Sequence, residues 1–365
     1  MNKYIIKNGR KLRYGYTTGS CAAAATKAAA FALFKNIALY EVEIDTPKGW
    51  PLKLKVEDLK QTDGWAECGI KKDGGDDPDV TSGLVIYSRV EKIPGKDIIL
   101  TAGEGIGNVT KPGLQIKPGQ PAINLVPQAM IKKEISRVLP KNQGVKITLR
   151  VPGGEEIARK TFNPKLGIVG GISIIGTTGI VEPMSTQAIK ETLAVELSIL
   201  SAEGHRQVVL VPGNYGKNYA LNAGKDESLI IRYGNYLGFA LEKCVEYGFH
   251  KVELIGDVGK LVKVAAGIFD TTGRVADARG EIAAAYAAYF GAGQEVIAKI
   301  LNSTTTEESF ALVEEAGINI EEFSYFICKR IVDKCLWYTG NRMDLSVQLF
   351  SQSRGFLSSY YHTGS

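Results

Sequence analysis

The stretch from Asn163 to Ser185, NPKLGIVGGISIIGTTGIVEPMS, carries the pattern on which the fold prediction rests. Two apolar runs, 166–169 and 172–175, lead into the loop Gly176-Thr177-Thr178-Gly179, and beyond Ser185 the pattern becomes helical. Open α/β sheets present backbone N–H groups to a ligand where a β-branched strand breaks into a small-residue loop and a helix begins. The stretch therefore predicts a cofactor site.

After this stretch, strands and helices alternate along the chain. The apolar run 207–211 ends in PGNYG (212–216), and the run 251–255 ends in GDVGK (256–260) before a helix. Glycine at each passage from strand to helix is typical of a parallel, doubly wound sheet, in which ligands gather where the loops converge. The residues from 291 to the end read as helical.

Before this stretch the pattern is different. An alanine-rich run, 22–33, predicts a helix capped by Ser20 or Thr18, and 38–160 reads mostly as short strands with one helix near 127–139. We therefore expect three regions: a two-layer α+β domain over 1–162, an α/β domain over 163–290, and a helical C-terminal region over 291–365 that packs on the others.

Composition narrows the class of protein. At 365 residues the chain suits two domains, and 44% hydrophobic and 23% charged residues are ordinary for a globular protein. The chain has no apolar run long enough for a bilayer and no secretion signal, so we expect a cytoplasmic protein without a membrane partner. A net charge of +5 without a dense basic run gives little support for nucleic acid.

Cysteines and histidines are too scattered for a predicted metal site. The five cysteines form no Cys-x-x-Cys pair and the three histidines lie far apart. Cys328 and Cys335, two helical turns apart, are expected on one buried face. The acidic loop 72–81 could hold a hard cation through its carboxylates, but it lacks the spacing of an EF-hand, and we expect a solvated turn without a metal ion.

Long sequence words in a fixed order resemble the CbiD family, the cobalt-precorrin-5B C(1)-methyltransferases of anaerobic cobalamin biosynthesis. They cover about three quarters of the chain and are RYGYTTGSCAAA (13–24), GDDPDVT (75–81), GEGIG (103–107), TFNP (161–164), the stretch quoted first, PGNYG (212–216) and GKLVK (259–263). The chain departs from the family pattern at Asp257 and Thr272, where histidines are common.

The resemblance implies a methyltransferase that converts cobalt-precorrin-5B to cobalt-precorrin-6A by methylating ring carbon 1. S-adenosylmethionine would be the methyl donor, and the cobalt would belong to the tetrapyrrole substrate and not to the protein. The resemblance also implies an α+β first domain and a Rossmann-like, three-layer α/β second domain. It leaves open whether the chain forms a homo-oligomer.

Site residues follow from the loops and the resemblance together. Asp257 and Thr178 are the catalytic candidates. The predicted cofactor contacts are Gly170, Gly171, Ser173, Gly176, Thr177, Thr178, Gly179, Asn214, Tyr215 and Asp257. The predicted substrate contacts are Thr17, Thr18, Gly19, Ser20, Lys27, Asp76, Asp77, Lys260, Lys263, Thr271, Thr272, Arg274 and Arg279. We expect the 176–179 loop to face residues 17–20 of the other domain.

Two other classes of protein remain as alternatives. A non-catalytic tetrapyrrole- or nucleotide-binding module would need one ligand only, whereas here two regions each contribute loops. A nicotinamide-dependent reductase on a similar sheet should show Gly-x-Gly-x-x-Gly at the start of a helix, with an acidic residue about 20 positions on. No such arrangement is evident in the chain.

Overall fold

The computed structural model describes residues 3–363. The chain divides into two compact units, Met1–Thr186 and Gln187–Ser365. Both units mix helices and strands. The boundary differs from the one expected at residue 162, because residues 163–186 pack within the first unit.

The first unit is built on a five-stranded sheet; helix α1 packs on this sheet and α2 packs on α1. Its order is β6-β7-β8-β11-β9, in which only the β11–β9 pair is parallel. The elements are β1 (Tyr4–Lys7), β2 (Arg10–Arg13), β3 (Gly15–Tyr16), α1 (Thr18–Lys35), β4 (Glu41–Ile44), β5 (Leu52–Lys55), β6 (Glu57–Gln61), β7 (Trp65–Lys71), β8 (Val85–Ile93), β9 (Ile98–Ala102), β10 (Asn108–Val109), α2 (Leu125–Ser136), β11 (Gly144–Arg150), α3 (Gly154–Ala158), β12 (Ile168–Val169) and β13 (Ile180–Val181).

Helix α1 lies at the centre of this unit. Its alanines are buried, and the absence of bulky side chains allows α2 and strands β7 and β8 to approach it closely. The N-cap is Thr17, not Thr18 or Ser20 as predicted, and its Oγ1 accepts a hydrogen bond from the Ser20 amide. The helix ends at Asn36, whose left-handed backbone (φ 56°) terminates the hydrogen-bond pattern.

The stretch 163–185 does not form a strand of a parallel sheet, so that part of the prediction is wrong. It contributes only the two-residue strands β12 and β13 and isolated bridges at Ile172 and Ile174. Both isoleucines are buried in the core of the first unit. Glycines with positive φ, Gly170 at 88° and Gly176 at 132°, bend the backbone on either side, so no continuous strand forms.

The second unit is an α/β structure on a five-stranded sheet of order β15-β14-β16-β17-β18. All neighbouring strands are parallel except β18, which is antiparallel to β17. The elements are α4 (Thr186–Ala202), β14 (Gln207–Val211), α5 (Asn214–Asn222), β15 (Ile230–Arg232), α6 (Leu237–Glu246), β16 (Lys251–Asp257), α7 (Val258–Ala265), α8 (Arg279–Tyr289), α9 (Gln294–Leu301), α10 (Thr306–Glu315), α11 (Ile320–Thr339), β17 (Asp344–Ser351) and β18 (Gly355–His362).

Helices pack on both faces of this sheet, but unequally. Alternate residues of β14 face opposite ways: Val208 and Leu210 join a large core with α4, α6, α7 and α11, whereas Val209 and Val211 pack with α5. This alternation is the period-2 pattern of a strand buried on both sides.

The prediction of a helical C-terminal region is right only for α9 to α11. Strands β17 and β18 complete the sheet, because Leu345, Val347 and Leu349 alternate into the large core. Cys328 and Cys335 are both fully buried on α11, which confirms the prediction for these two thiols. Between residues 3 and 363, no helix combines the length and the apolar character needed to cross a membrane.

Candidate functional site

The carboxyl ends of three parallel strands of the second unit lie side by side. Strand β14 ends at Val211, β15 at Arg232 and β16 at Asp257. The chain passes from β14 to β15 on one side and then returns to place β16 on the other side of β14. The strand order therefore reverses between β14 and β16, and in open α/β sheets the ligand crevice lies at such a reversal.

The loop between β14 and α5 leaves room beside the backbone. Gly213 stands before α5, no side chain caps that helix, and nothing lies within 4 Å of a Cβ placed on Gly213. A Cβ on Gly216, by contrast, would lie 3.1 Å from the Cβ of Val211, so that glycine lets α5 pack closely on β14. An open helix N-terminus at a reversal of strand order suits a polar or anionic ligand group.

Two predicted cofactor residues lie at this N-terminus. Tyr215 is 69% exposed, so its ring is available for stacking. Asn214 Oδ1 accepts a hydrogen bond of 2.6 Å from Arg232 Nη1 at the end of β15. That bond ties the two neighbouring loops together.

Asp257 ends β16 and caps α7. Its Oδ1 accepts a hydrogen bond of 2.9 Å from the Gly259 amide. Burial raises the pKa of this carboxyl above its usual range, and the nearby carboxylate of Glu307 adds to that shift. Burial also acts to raise the pKa of Glu307, but hydrogen bonds from Ser351 and Ser353 outweigh it and keep that pKa low. Two acidic groups, one with a raised pKa and one with a lowered pKa, thus lie near this edge of the sheet.

A polar cluster joins the loop after β15 to helix α7. Asn235 Oδ1 accepts hydrogen bonds from Lys260 Nζ at 2.7 Å and from Thr271 Oγ1 at 3.3 Å. Lys263 is buried, and its Nζ donates to the carbonyl oxygens of Thr271 (3.1 Å) and Ala276 (2.8 Å). Burial lowers the pKa of Lys263. Lys263 therefore holds the 270–277 loop directly, whereas Lys260 binds Asn235, which in turn bonds Thr271.

Of the remaining predicted residues of the second unit, Thr272 and Arg274 lie in the same loop and Arg279 is the first residue of α8. The Thr272 amide donates to Asp270 Oδ1 at 3.0 Å, and Arg279 binds Asp277 through two hydrogen bonds of 2.7 and 2.9 Å. Arg274 is exposed. The structure thus brings together Lys260, Lys263 and Thr271, whereas Arg279 is engaged with its own loop.

In the first unit, residues 17–20 do contact the 175–179 segment, but the expectation that the partners come from different domains is wrong. The Gly19 amide donates to the Ile175 carbonyl at 3.0 Å, and Ser20 Oγ donates to the Gly179 carbonyl at 2.6 Å. Thr18 Oγ1 accepts from the Ile175 amide at 2.9 Å. Thr18, Gly19 and Ser20 are buried. The polar groups expected to bind a substrate anion are used within the unit.

The predicted cofactor residues of this segment have similar internal contacts. Ser173 Oγ donates to Asn163 Oδ1 at 3.2 Å, and Thr178 Oγ1 bonds the backbone of Ile180. A Cβ on Gly171 would lie 2.3 Å from the backbone of Gly105, and a Cβ on Gly179 would lie 2.9 Å from Thr46. Gly170 and Thr177 are exposed, and nothing lies within 4 Å of a Cβ placed on Gly170.

Lys27 and the acidic loop are also tied into the first unit. Lys27 Nζ lies 2.8 Å from Glu134 Oε2, and Glu134 is almost fully buried between α1 and α2. Asp76 accepts from the Arg13 amide at 2.6 Å and Asp77 from the Met184 amide at 2.9 Å.

The other carboxylates of the loop are paired as well. Asp73 binds Arg13, and Asp79 binds Lys72. No group of three or more His, Cys, Asp or Glu side chains among residues 3–363 is arranged to hold a metal ion.

Burial raises the pKa of Cys21, Cys68, Cys244 and Cys328 to about 12. These thiols are therefore protonated and poor nucleophiles at neutral pH.

Sequence reasoning missed several polar residues at the carboxyl edge: Arg232, Asn235, Glu307 and Ser351. Asn235 follows a glycine at the end of a short apolar run, which is a loop signal that could have identified it. Glu307 and Ser351 come from α10 and β17, far along the chain, and only the folded sheet brings them to this edge.

The fold and the polar edge define a class, namely a two-unit protein of mixed α/β structure whose second unit contains a reversal of strand order. The family model described as CbiD matches residues 5–183, and the model described as CbiD, C-terminal domain matches residues 270–360. The chain belongs to the CbiD family.

Similar proteins span almost the whole chain. A cobalt-precorrin-5B C(1)-methyltransferase of Thermoanaerobacter sp. (strain X514) is 60% identical over 98% of each chain. One of Alkaliphilus metalliredigens (strain QYMF) is 49% identical over 98% of this chain and 95% of the relative. The crystal structure of cobalamin biosynthesis protein (CbiD) from Archaeoglobus fulgidus has 30% identity and a TM-score of 0.40, and the match covers 76% of this chain and 87% of that one.

Proposed function

We propose that this protein methylates ring carbon 1 of cobalt-precorrin-5B to give cobalt-precorrin-6A in anaerobic cobalamin biosynthesis, with S-adenosylmethionine as methyl donor. The observation that carries the proposal is the 60% identity, over nearly the full length, to a relative named for this reaction. Tetrapyrrole-methylating activity in a biosynthetic pathway also fits the predicted cytoplasmic location.

The second unit is the better candidate for the methyl-donor site, and we propose that its sheet is Rossmann-like. Gly213, Asn214 and Tyr215 border the crevice between β14 and β16 on one side, and Asp257 borders it on the other. The open backbone at Gly213 fits close approach of a ligand, and the exposed ring of Tyr215 suits stacking on a purine.

Asp257 has the chemistry to recognise the polar parts of the donor. When ionised, its carboxylate accepts hydrogen bonds from a ribose hydroxyl or an amino group, and one of its oxygens already orients the Gly259 amide. S-adenosylmethionine supplies a methyl group on a cationic sulfonium, which transfers by in-line displacement.

Most of the catalytic work of the protein is alignment, because the donor and the ring carbon supply the reacting atoms. Holding two reactants in attack geometry is worth about 7–11 kcal/mol of the barrier. The residues at the edge of the sheet serve to orient the bound groups and exclude water. The thiols are buried, so none of the five is a candidate covalent nucleophile.

The decisive experiment is incubation of the purified protein with methyl-labelled S-adenosylmethionine and cobalt-precorrin-5B under anaerobic conditions. We expect label at ring carbon 1 and one equivalent of S-adenosylhomocysteine per methyl group transferred. Binding of both ligands without label transfer would instead support the non-catalytic binding module. Consumption of a reduced nicotinamide would support the reductase, although the loop PGNYGK (212–217) lacks the dinucleotide fingerprint.

A further inference from the structure

Three lysines of the first unit surround one tryptophan and one carboxylate. Lys3 Nζ lies 3.8 Å and Lys48 Nζ 4.8 Å from the centroid of the Trp50 ring. Lys7 Nζ lies 2.8 Å from Glu182 Oε1, and Lys48 Nζ lies 3.6 Å from Glu182 Oε2. We call these five residues the lysine–tryptophan patch.

The backbone fixes the positions of these side chains. The Lys3 carbonyl accepts a hydrogen bond of 3.0 Å from the Tyr14 amide, which holds Lys3 against the hairpin formed by β1 and β2. Thr46 Oγ1 donates to the Trp50 carbonyl at 2.7 Å and accepts from the Trp50 amide, so the turn that carries Lys48 and Trp50 is closed. Tyr14 packs edge-on against Trp50, with ring centroids 5.2 Å apart.

The patch has more positive than negative charge. Hydrogen bonding from Lys7 outweighs burial and lowers the pKa of Glu182, so that carboxylate is ionised at neutral pH. The Glu182 carboxylate contacts two of the three ammonium groups, those of Lys7 and Lys48. The third, on Lys3, lies over the Trp50 ring, and the faces of Tyr14 and Trp50 supply only partial negative charge. A ligand carboxylate would therefore meet a favourable field here.

Other cations of the chain that were candidates for acidic ligands are already engaged. Lys27 is paired with Glu134 and Lys263 donates to two backbone carbonyls. Arg13 forms two hydrogen bonds with Asp73. Within the lysine–tryptophan patch, Lys7 is likewise engaged, by Glu182 and by the carbonyls of Pro183 and Met184. Lys3 and Lys48 are different because their ammonium groups lie over the Trp50 ring and both residues are partly exposed.

We propose that the lysine–tryptophan patch is a subsite for the carboxylate arms of the tetrapyrrole substrate, with Lys3 and Lys48 binding the carboxylates and Trp50 contacting the apolar part of an arm. The proposal rests on the proposed function for the identity of its ligand. Its chemistry, an ammonium pair beside an indole ring, recognises a carboxylate attached to a short apolar chain.

The test is a fluorescence titration with uroporphyrin, a stable polycarboxylate porphyrin, at low ionic strength. We expect the double variant Lys3→Gln/Lys48→Gln to bind about tenfold more weakly than the unaltered protein. The variant Glu182→Gln removes the competing internal carboxylate and should bind equally well or more tightly. Lys132→Gln/Lys141→Gln, at two exposed lysines in and just after α2, is the matched control for loss of two charges and should not change the affinity. Circular dichroism melting would show that all variants are folded.

Two results would overturn the subsite. One is an affinity of Lys3→Gln/Lys48→Gln within about twofold of the unaltered protein. The other is an equal loss in Lys132→Gln/Lys141→Gln, which would indicate a general charge effect. The methyl-transfer assay is read separately. If the unaltered protein transfers no methyl group but the titration follows the expected order, the proposed function fails and the anion subsite stands.

Discussion

A Cβ placed on Gly176 would lie 2.3 Å from Oγ1 of Thr17. The backbone of the loop therefore lies against the side chain of Thr17 at the N-terminus of α1, and a side chain at position 176 would overlap the threonine. Two segments that each resemble an anion-binding loop in the sequence satisfy one another's hydrogen-bonding groups in the folded unit. This close packing is a sufficient reason for a glycine at position 176, so the glycine does not by itself indicate a ligand site.

Replacing Gly176 with alanine should destabilise the first unit strongly. The new methyl group would meet Thr17, and φ of 132° is a conformation that residues with a Cβ rarely adopt. We expect a loss of about 2–4 kcal/mol in the free energy of unfolding, measured by urea denaturation. Gly64→Ala is the control, because nothing lies within 4 Å of a Cβ at that position. Equal stability of the two variants would refute the close-packing explanation.

Lys27 should matter for stability and not for substrate binding. Removing it as Lys27→Met leaves Glu134, which is 1% exposed, with a buried carboxylate that has lost one partner. Breaking such a pair costs about 3–5 kcal/mol, and the retained contact with Arg137 should place the loss near the lower end.

The matched control is the double variant Lys27→Met/Glu134→Leu, which removes both charges and should recover part of the lost stability. Chemical denaturation gives the free energies of unfolding, and a uroporphyrin titration of the folded Lys27→Met variant gives its affinity. A weaker affinity with unchanged stability would instead support the substrate contact expected from the sequence.

Local patterns in the sequence predicted the elements well where short-range forces decide them. The alanine run of α1 has high helix propensity, and the apolar run of β14 matches its predicted bounds, Gln207–Val211. The sequence could not show that residues 163–186 belong to the first unit, because their partners, such as Thr17 and Gly105, lie more than 50 residues away along the chain. Strands β17 and β18 were not predicted for the same reason, because β17 follows three helices and pairs with β16, which is distant along the chain.

The candidate site was predictable only in part for the same reason. Asn214, Tyr215 and Asp257 each lie where a strand passes into a helix, and the pairing of β14 with β16 places them at the same edge of the sheet. Lys27 carried no local sign that distinguishes a ligand contact from an ion pair, since Glu134 lies on another helix. Glu307 reaches the site through the packing of α10, which the local sequence does not encode.

Tyr215→Ala should weaken binding of S-adenosylmethionine with little effect on stability. The ring is 69% exposed and so contributes little to the core, whereas stacking on adenine would be lost with it. We expect affinity to fall about tenfold in isothermal titration calorimetry, which corresponds to about 1.4 kcal/mol. Tyr40→Ala, at a tyrosine of the first unit that is 72% exposed, is the control. Unchanged affinity in Tyr215→Ala would exclude stacking on this ring.

The stability contributed by Asp257 should depend on pH in a definite direction. Burial raises its pKa in the folded protein above the ordinary value of 3.8, so the folded state binds the proton more tightly than the unfolded state. The associated stability is fully present below pH 3.8 and is lost as the pH rises through the folded-state pKa. Asp257→Asn keeps an oxygen that can accept from the Gly259 amide but removes the titration.

The difference in the free energy of unfolding, Asp257→Asn minus the unaltered protein, should therefore be smallest below pH 3.8 and increase as the pH rises above it. Paired urea titrations at successive pH values measure this difference and cancel the contributions of carboxylates that do not interact with Asp257. The same variant should bind S-adenosylmethionine more weakly at neutral pH, because a neutral amide is a weaker acceptor than a carboxylate. A difference that does not change with pH would show that Asp257 has its ordinary pKa in the folded protein, since only a shifted group links folding to proton binding.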